Sequence, residues 1–135
     1  MQKLTTHVHQ LIHTGNIVFM AGDFNIMPHD HDLYNPEHPE WSKWAMISPP
    51  ERAVYQSLLD VGLDDVVTTL LTPYTYTRWE YYKTSHDRAQ GFRLDHFLIP
   101  SHLVSQVKQL TVLRQYRAAP TPSDHAPVLL TVDTY

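Results

Sequence analysis

The sequence predicts an α/β fold, and three observations carry that prediction. A helical stripe leads directly into an apolar run of strand length, a second helix brings its own start and stop signals, and the second half alternates aromatic and β-branched segments with polar loops. At 135 residues and 42% hydrophobic content the chain is long enough for one cored domain, read as residues 1–135.

Leu4, Val8, Leu11 and Ile12 fall at i, i+4, i+7 and i+8, so residues 3–13 predict an amphipathic helix that stops at Gly15. Ile17 to Ala21 is continuously apolar, which predicts a strand buried on both faces. Prolines at 28, 36, 39, 49 and 50 forbid regular structure over a long excursion from Pro28 to Pro50. Ser48-Pro49-Pro50-Glu51 reads as a capping box, and Val54, Leu58 and Val61 give the helix that follows its buried face up to Gly62. Tyr74 to Tyr82, Phe92 to Ile99, Val107 to Leu113 and Pro127 to Val132 predict strands. The sequence shows no repeat and no linker that would divide it.

The formal charge is −4 with ten histidines, which lacks the basic footprint of a non-specific nucleic-acid binder. An enzyme that reaches phosphate through a metal ion stays open, because there the ion brings the positive charge. Without cysteine there is neither a disulfide framework nor a thiolate zinc site. No apolar run is long enough to span a membrane and the N-terminus lacks a signal-peptide core, so a cytoplasmic protein with no membrane partner is expected.

Three places carry chemistry. In "AGDFN" the first strand delivers Asp23 and Asn25 to its C-terminal mouth, and strand periodicity places both on one side; a carboxylate there orients or deprotonates water and an amide donates to phosphate. A simple turn after a strand is the plainer reading. In "PTPSDHAPV" Asp124 and His125 stand side by side in a proline-bounded loop, as a hard-metal ligand and a proton-transfer group or as a capped loop with a solvated histidine. Asp95, inside "GFRLDHFLIP", shares a strand face with Arg93 and Phe97 and opposes Leu94, His96 and Leu98. It needs a partner, either Arg93 as an ion pair or His125, whose tautomer it would fix. The His29-Asp30-His31-Asp32 run is expected to be a solvated loop rather than a site that captures zinc or nickel.

Six segments follow one another in order: "AGDFNIMP", "DHDLYNP", "SPPERAVYQSLLDVGLDD", "YTRWEYY", "GFRLDHFLIPS" and "PSDHAPV". Together they resemble the C-terminal half of the exonuclease III family, within the endonuclease/exonuclease/phosphatase superfamily of metal-dependent phosphodiesterases. The resemblance implies half of a four-layer α/β sandwich, one mixed and mostly antiparallel sheet with flanking helices. It implies Asp23 as the residue that orients or activates water, Asn25 as the phosphate holder, Asp124 as a contributor to metal binding, and His125, paired with Asp95, as the group that stabilises phosphate. Mg2+ (or Mn2+) is the implied cofactor and double-stranded DNA the implied partner. Arg78 and Trp79 join Asn25 as implied substrate-binding residues, although relatives commonly carry tryptophan where Arg78 stands. Arginine there contacts phosphate or stacks through its guanidinium. Ala89-Gln90 replace a more polar family pattern.

The resemblance also implies what this chain lacks. The other half would bring a metal-binding glutamate, and no acidic residue precedes Ile17 to replace it. A sheet face meant for a partner sheet would be exposed, to be covered by the missing N-terminal half or by a second copy of this chain. The expected function is therefore a magnesium-dependent DNA-repair nuclease that cuts 5′ of abasic sites and clears 3′ ends, with this chain alone a poor nuclease or none. The alternatives are a phosphatase or phosphodiesterase of the same superfamily and a non-catalytic binding fragment.

Overall fold

The computed structural model describes residues 2–79 and 90–133. Helix α1 (Gln2–His13) seats Val8 in the core and ends in a turn at Gly15, whose φ of 86° suits glycine. Strand β1 (Met20–Asp23) begins later than the apolar run predicts, and it is not buried on both faces. Val18 and Met20 pack on the core with Val8, Tyr55 and Leu58, whereas Ile17 and Phe19 stand 64% and 49% exposed. Alternate residues face opposite ways, and only one side of this segment meets another layer.

The excursion from Pro28 to Pro50 is more ordered than its prolines suggest. It holds three short 3₁₀ helices, Asp30–Asp32, Pro39–Lys43 and Ala45–Ile47, and it buries Leu33 and Trp41 against Met27, Phe92 and Leu94. Helix α2 (Pro49–Leu59) starts after Ser48, but the expected capping bond from the serine side chain is not made; the prolines at the first two positions set the start instead, through their fixed φ and the N–H groups they do not leave unpaired. Tyr55 and Leu58 are its buried residues, while Val54 is only half-buried.

Strand β2 (Leu63–Asp65) and helix α3 (Val66–Leu70) were not expected. Asp65 caps α3 by accepting the Val67 amide at 3.0 Å, and an aspartate before Val-Val-Thr-Thr was a legible start signal. Only Arg78–Trp79 (β3) of the predicted 74–82 strand is extended among the described residues, and 80–82 lie outside them. The predicted 92–99 strand divides into β4 (Gly91–Phe92) and β5 (Asp95–Pro100). Thr77 causes the break: its Oγ1 accepts the amides of Leu94 and Asp95 at 3.1 and 3.2 Å. Strands β6 (Val107–Val112) and β7 (Val128–Val132) match prediction closely.

Every pairing among the described residues is antiparallel. The order β1-β5-β2 forms one ladder, β3-β4 and β6-β7 two more, and an Arg78–His125 bridge joins β3 to the loop before β7. In β1-β5 the register sets Met20 opposite Leu98 and Asp23 opposite Asp95.

Arg93, between β4 and β5, is fully buried with Asp32. The guanidinium Nη1 lies 3.2 Å from Asp32 Oδ1, close enough to attract as charges but without a well-aligned hydrogen bond. Its Nε and Nη2 donate to the carbonyls of Thr75 and Thr72 at 2.9 and 2.8 Å, and Asp32 Oδ2 accepts the His29 amide at 2.8 Å. The pair thus fastens the 29–32 turn to the 72–75 turn. Arg93→Leu strands the Asp32 charge in the interior and is expected to cost about 3–5 kcal/mol of stability. Urea unfolding measures this, and a loss under about 1 kcal/mol would show that Asp32 finds other compensation.

Candidate catalytic site

The site forms where β1 ends, β5 begins and the loop before β7 crosses β3. Gly22, with φ 137°, lets β1 swing outward, and Asp23 follows. Asn25 adopts the left-handed conformation at φ 51°, so the strand period invoked from sequence does not operate there. An Asx turn unites the two residues instead: Asp23 Oδ1 accepts the Asn25 amide at 2.8 Å and Oδ2 the Asn25 side-chain Nδ2 at 3.2 Å.

Asp95 lies across the ladder from Asp23, and its partner is His125, not Arg93. His125 Nδ1 donates to Asp95 Oδ2 at 2.8 Å, which turns Nε2 toward Asp23 Oδ2, 3.8 Å away. Backbone bonds hold the histidine in place: the Trp79 amide donates to the Asp124 carbonyl at 2.9 Å and the Ala126 amide to the Thr77 carbonyl at 2.8 Å. Two carboxylates and an imidazole, which come from positions 23, 95 and 125, therefore meet at one mouth. Beside them a cleft of about 520 Å3 is lined by Ala21, Phe97, Tyr116 and Val128 together with Asp95 and His125.

A family model described as the endonuclease/exonuclease/phosphatase family matches residues 2–125. The chain belongs to that family. Within it the chain is similar to exodeoxyribonuclease III of Haemophilus influenzae, 32% identical over 119 residues that cover 84% of this chain and 45% of the relative. It is also similar to the DNA repair nuclease APEX1 of Danio rerio, 31% identical over 82% of this chain and 34% of that protein. Among solved structures, the 3′ phosphatase NExo from Neisseria, bound to a product DNA hairpin, superposes with a TM-score of 0.87 at 34% identity, covering 96% of this chain and 50% of that one. The chain spans half or less of the length of these relatives, and the resemblance to the exonuclease III family holds.

Around the candidate site the other singled-out residues fall as follows. Asp124 accepts from Arg78 Nε at 3.2 Å. Arg78 itself lies over the Phe92 ring, 5.4 Å from its centroid. Trp79 is 5% exposed, with the guanidinium groups of Arg114 and Arg117 at 5.0 and 5.1 Å from its ring. Of the His29–Asp32 run, His29 and Asp30 face solvent as expected, and the two imidazoles stack at 5.1 Å. Asp32 departs from expectation because Arg93 draws it into the core.

Asp23, Asn25 and Asp124 offer the oxygen donors that a hard divalent cation takes. They do not close a cage in this chain: Asn25 engages both Asp23 oxygens, Arg78 engages Asp124, and among the described residues no group of three His, Cys, Asp or Glu side chains is placed to hold an ion.

Burial would raise the Asp124 carboxyl, but the Arg78 hydrogen bond and the charges of His125 and Arg78 outweigh it and hold the group below its ordinary 3.8. Because the folded value is the lower one, the ionised carboxylate stabilises the fold above about pH 4, and that contribution is lost as acid carries the pH through the folded value. Arg78→Gln is expected to move the Asp124 carboxyl back toward 3.8. Side-chain carboxyl resonances followed against pH check this, and an unchanged midpoint would remove Arg78 as the cause.

Proposed function

We propose that this chain is the half of a metal-dependent DNA-repair nuclease that carries the water-activating carboxylate, the phosphate-holding amide and the histidine. One observation carries the proposal: His125, fixed by Asp95 through Nδ1, turns Nε2 toward Asp23 Oδ2, 3.8 Å away, so that an acid and a base border the same open mouth, where a phosphate oxygen and an attacking water can reach them from outside. Relatives named as exodeoxyribonuclease III, DNA repair nuclease and 3′ phosphatase support DNA phosphoesters as the substrate class.

In this reading the scissile phosphate lies between Asn25 and His125. Asp23 takes a proton from water as its oxygen adds to phosphorus, the phosphorus bond to the 3′-oxygen breaks, and that oxygen takes a proton from solvent to leave as a 3′-hydroxyl while Asp23 returns its own to solvent. The 5′-phosphate is the other product. Asn25 Nδ2 and His125 Nε2 donate to the phosphoryl oxygens as charge develops on them. Cleavage 5′ of an abasic site and removal of a nucleotide or blocking group from a 3′ end are the same displacement of a 3′-oxygen, and they differ only in what the phosphate carries away. Mg2+ (or Mn2+) is the cofactor we assign to the complete site, where it supplies charge neutralisation, and Asp124 is the carboxylate this chain brings to it. Arg78 sits at the site's edge as a contact for DNA phosphate.

The partner we assign to the exposed apolar face is the other half of the family fold, with a second copy of this chain as the alternative. Ile17 and Phe19, which alternate with the core-facing Val18 and Met20, lie on it, at 64% and 49% exposure.

The test is cleavage of end-labelled duplexes, one bearing an abasic site and one a 3′-terminal phosphate, with protein in excess, in Mg2+ and in chelator. Weak metal-dependent nicking is expected, reduced about 10²–10⁴-fold in His125→Ala and also lost in large part in Asp95→Asn, which leaves the imidazole without its fixed tautomer. Duplex binding with no nicking at any metal concentration would overturn catalysis by this chain alone and favour a binding fragment.

A further inference from the structure

Consecutive residues of β5 face opposite sides, so while Asp95 looks to the site mouth, His96 looks into the core beneath it. His96 is fully buried, with the rings of Phe24 and Tyr55 at 5.8 and 5.2 Å. Each of its ring nitrogens meets an acceptor. Nδ1 lies 2.8 Å from Asp65 Oδ2, and Nε2 lies 3.1 Å from the carbonyl oxygen of Ile26. A neutral imidazole has one N–H and one lone pair, so it cannot satisfy both; an imidazolium can.

The surroundings agree with a charged ring. Asp65 accepts from the Val67 amide and the Thr68 hydroxyl as well as from His96, the bonding of an ionised carboxylate. Against the effect of burial, the His96 and Thr68 bonds keep its carboxyl below the ordinary value. Tyr55 is the other titratable group packed on the ring, and burial with the nearby Asp65 charge pushes its hydroxyl far up, so it stays neutral. The segment from Phe24 to Ile26 brings no charge. A buried charge pair is costly to assemble and is retained where it fixes a geometry.

The geometry it would fix lies next door. Ile26 follows Asn25, whose left-handed turn carries both bonds to Asp23. We propose that His96 is a positioning residue, a buried imidazolium that ties the Ile26 carbonyl to Asp65 and so holds the Asp23–Asn25 turn in the position that faces His125. The functional sense of this rests on the roles proposed for Asp23 and Asn25. Asp95 and His96, adjacent in sequence, thus serve the two sides of one site: the first fixes the histidine and the second the water-activating turn.

The ring nitrogens of His96, observed by NMR in the wild-type chain at pH 7 and assigned with His96→Gln, give the direct test. Two protonated nitrogens are expected, and an unprotonated Nε2 overturns the proposal. Amide exchange at Asn25 tests positioning. His96→Phe keeps the ring's bulk but removes both donors, so exchange at Asn25 should rise about tenfold, the effect of losing one hydrogen bond, with the β6-β7 amides unchanged. His96→Gln keeps a donor for Ile26 and should stay within about threefold of wild type. The reverse order, a mild phenylalanine and a severe glutamine, would mean that His96 serves packing alone. If the phenylalanine variant does not fold, the wild-type ring measurement decides. Protonated nitrogens without DNA cleavage would count against the nuclease proposal only, and cleavage with an unprotonated Nε2 against the bridge only.

Discussion

The antiparallel pairing of β1 with β5 brings two carboxylates, Asp23 and Asp95, directly opposite each other at the end of a ladder. Like charges so placed repel, and a register with that consequence persists only if something stands between them. His125 does: one ring nitrogen is 2.8 Å from Asp95 and the other 3.8 Å from Asp23. The register is in turn enforced by the face behind it, because Met20 opposite Leu98 puts both into the core with Leu58 and Tyr55. A slip of one residue would send those side chains to the wrong face and separate the carboxylates at the same time. Packing of the core and assembly of the site are therefore one constraint.

Buried polar groups do the fine placement. Arg93 with Asp32 ties two turns across the sheet, His96 with Asp65 reaches under the Asp23–Asn25 turn, and Thr77 takes two amides that would otherwise continue a strand. All three lie on or beside the 91–96 segment. An unbroken strand there would present alternate residues and nothing more; the break at Arg93 and Leu94 frees the arginine to turn inward while Asp95 still enters the ladder opposite Asp23. Apolar residues of equal volume would be cheaper to bury, but they would not specify where loops sit.

The sequence displayed the strand-end carboxylates and the Asp124-His125 pair because such residues beside apolar runs and prolines are conspicuous. Asn25 was placed correctly beside Asp23 for the wrong reason: an Asx turn brings them together, and a strand period does not. Asp32 looked solvated because its neighbours His29 and Asp30 are, and nothing local shows that an arginine sixty residues on will claim it. His96 was hidden by its own pattern, since it alternates with Leu94 and Leu98 and reads as one more core position. Its partners come from β2 and from the turn after β1, so only the tertiary fold reveals two acceptors facing one ring. Local chemistry was legible, and of the long-range polar pairings only that of Asp95 with His125 was among those expected.

The outward face and the site are not separate matters. The cleft beside the site has Asp95 and His125 in its lining together with Ala21, Phe97, Tyr116 and Val128, so apolar walls on the uncovered side of the sheet are also walls of the site. A layer laid on that side would bury Ile17 and Phe19 and, by the same act, narrow the cleft and remove water from the Asp95–His125 pair. Charge interactions strengthen as water leaves, so the hold of Asp95 on His125 and the pull of the His125 imidazole on an incoming phosphate would grow when the face is covered. In the proposed reading, completion of the sandwich and completion of the chemistry are thus coupled: burial of the exposed apolar surface by a partner would turn a wet, half-open mouth into a site where the proposed acid and base act at full strength.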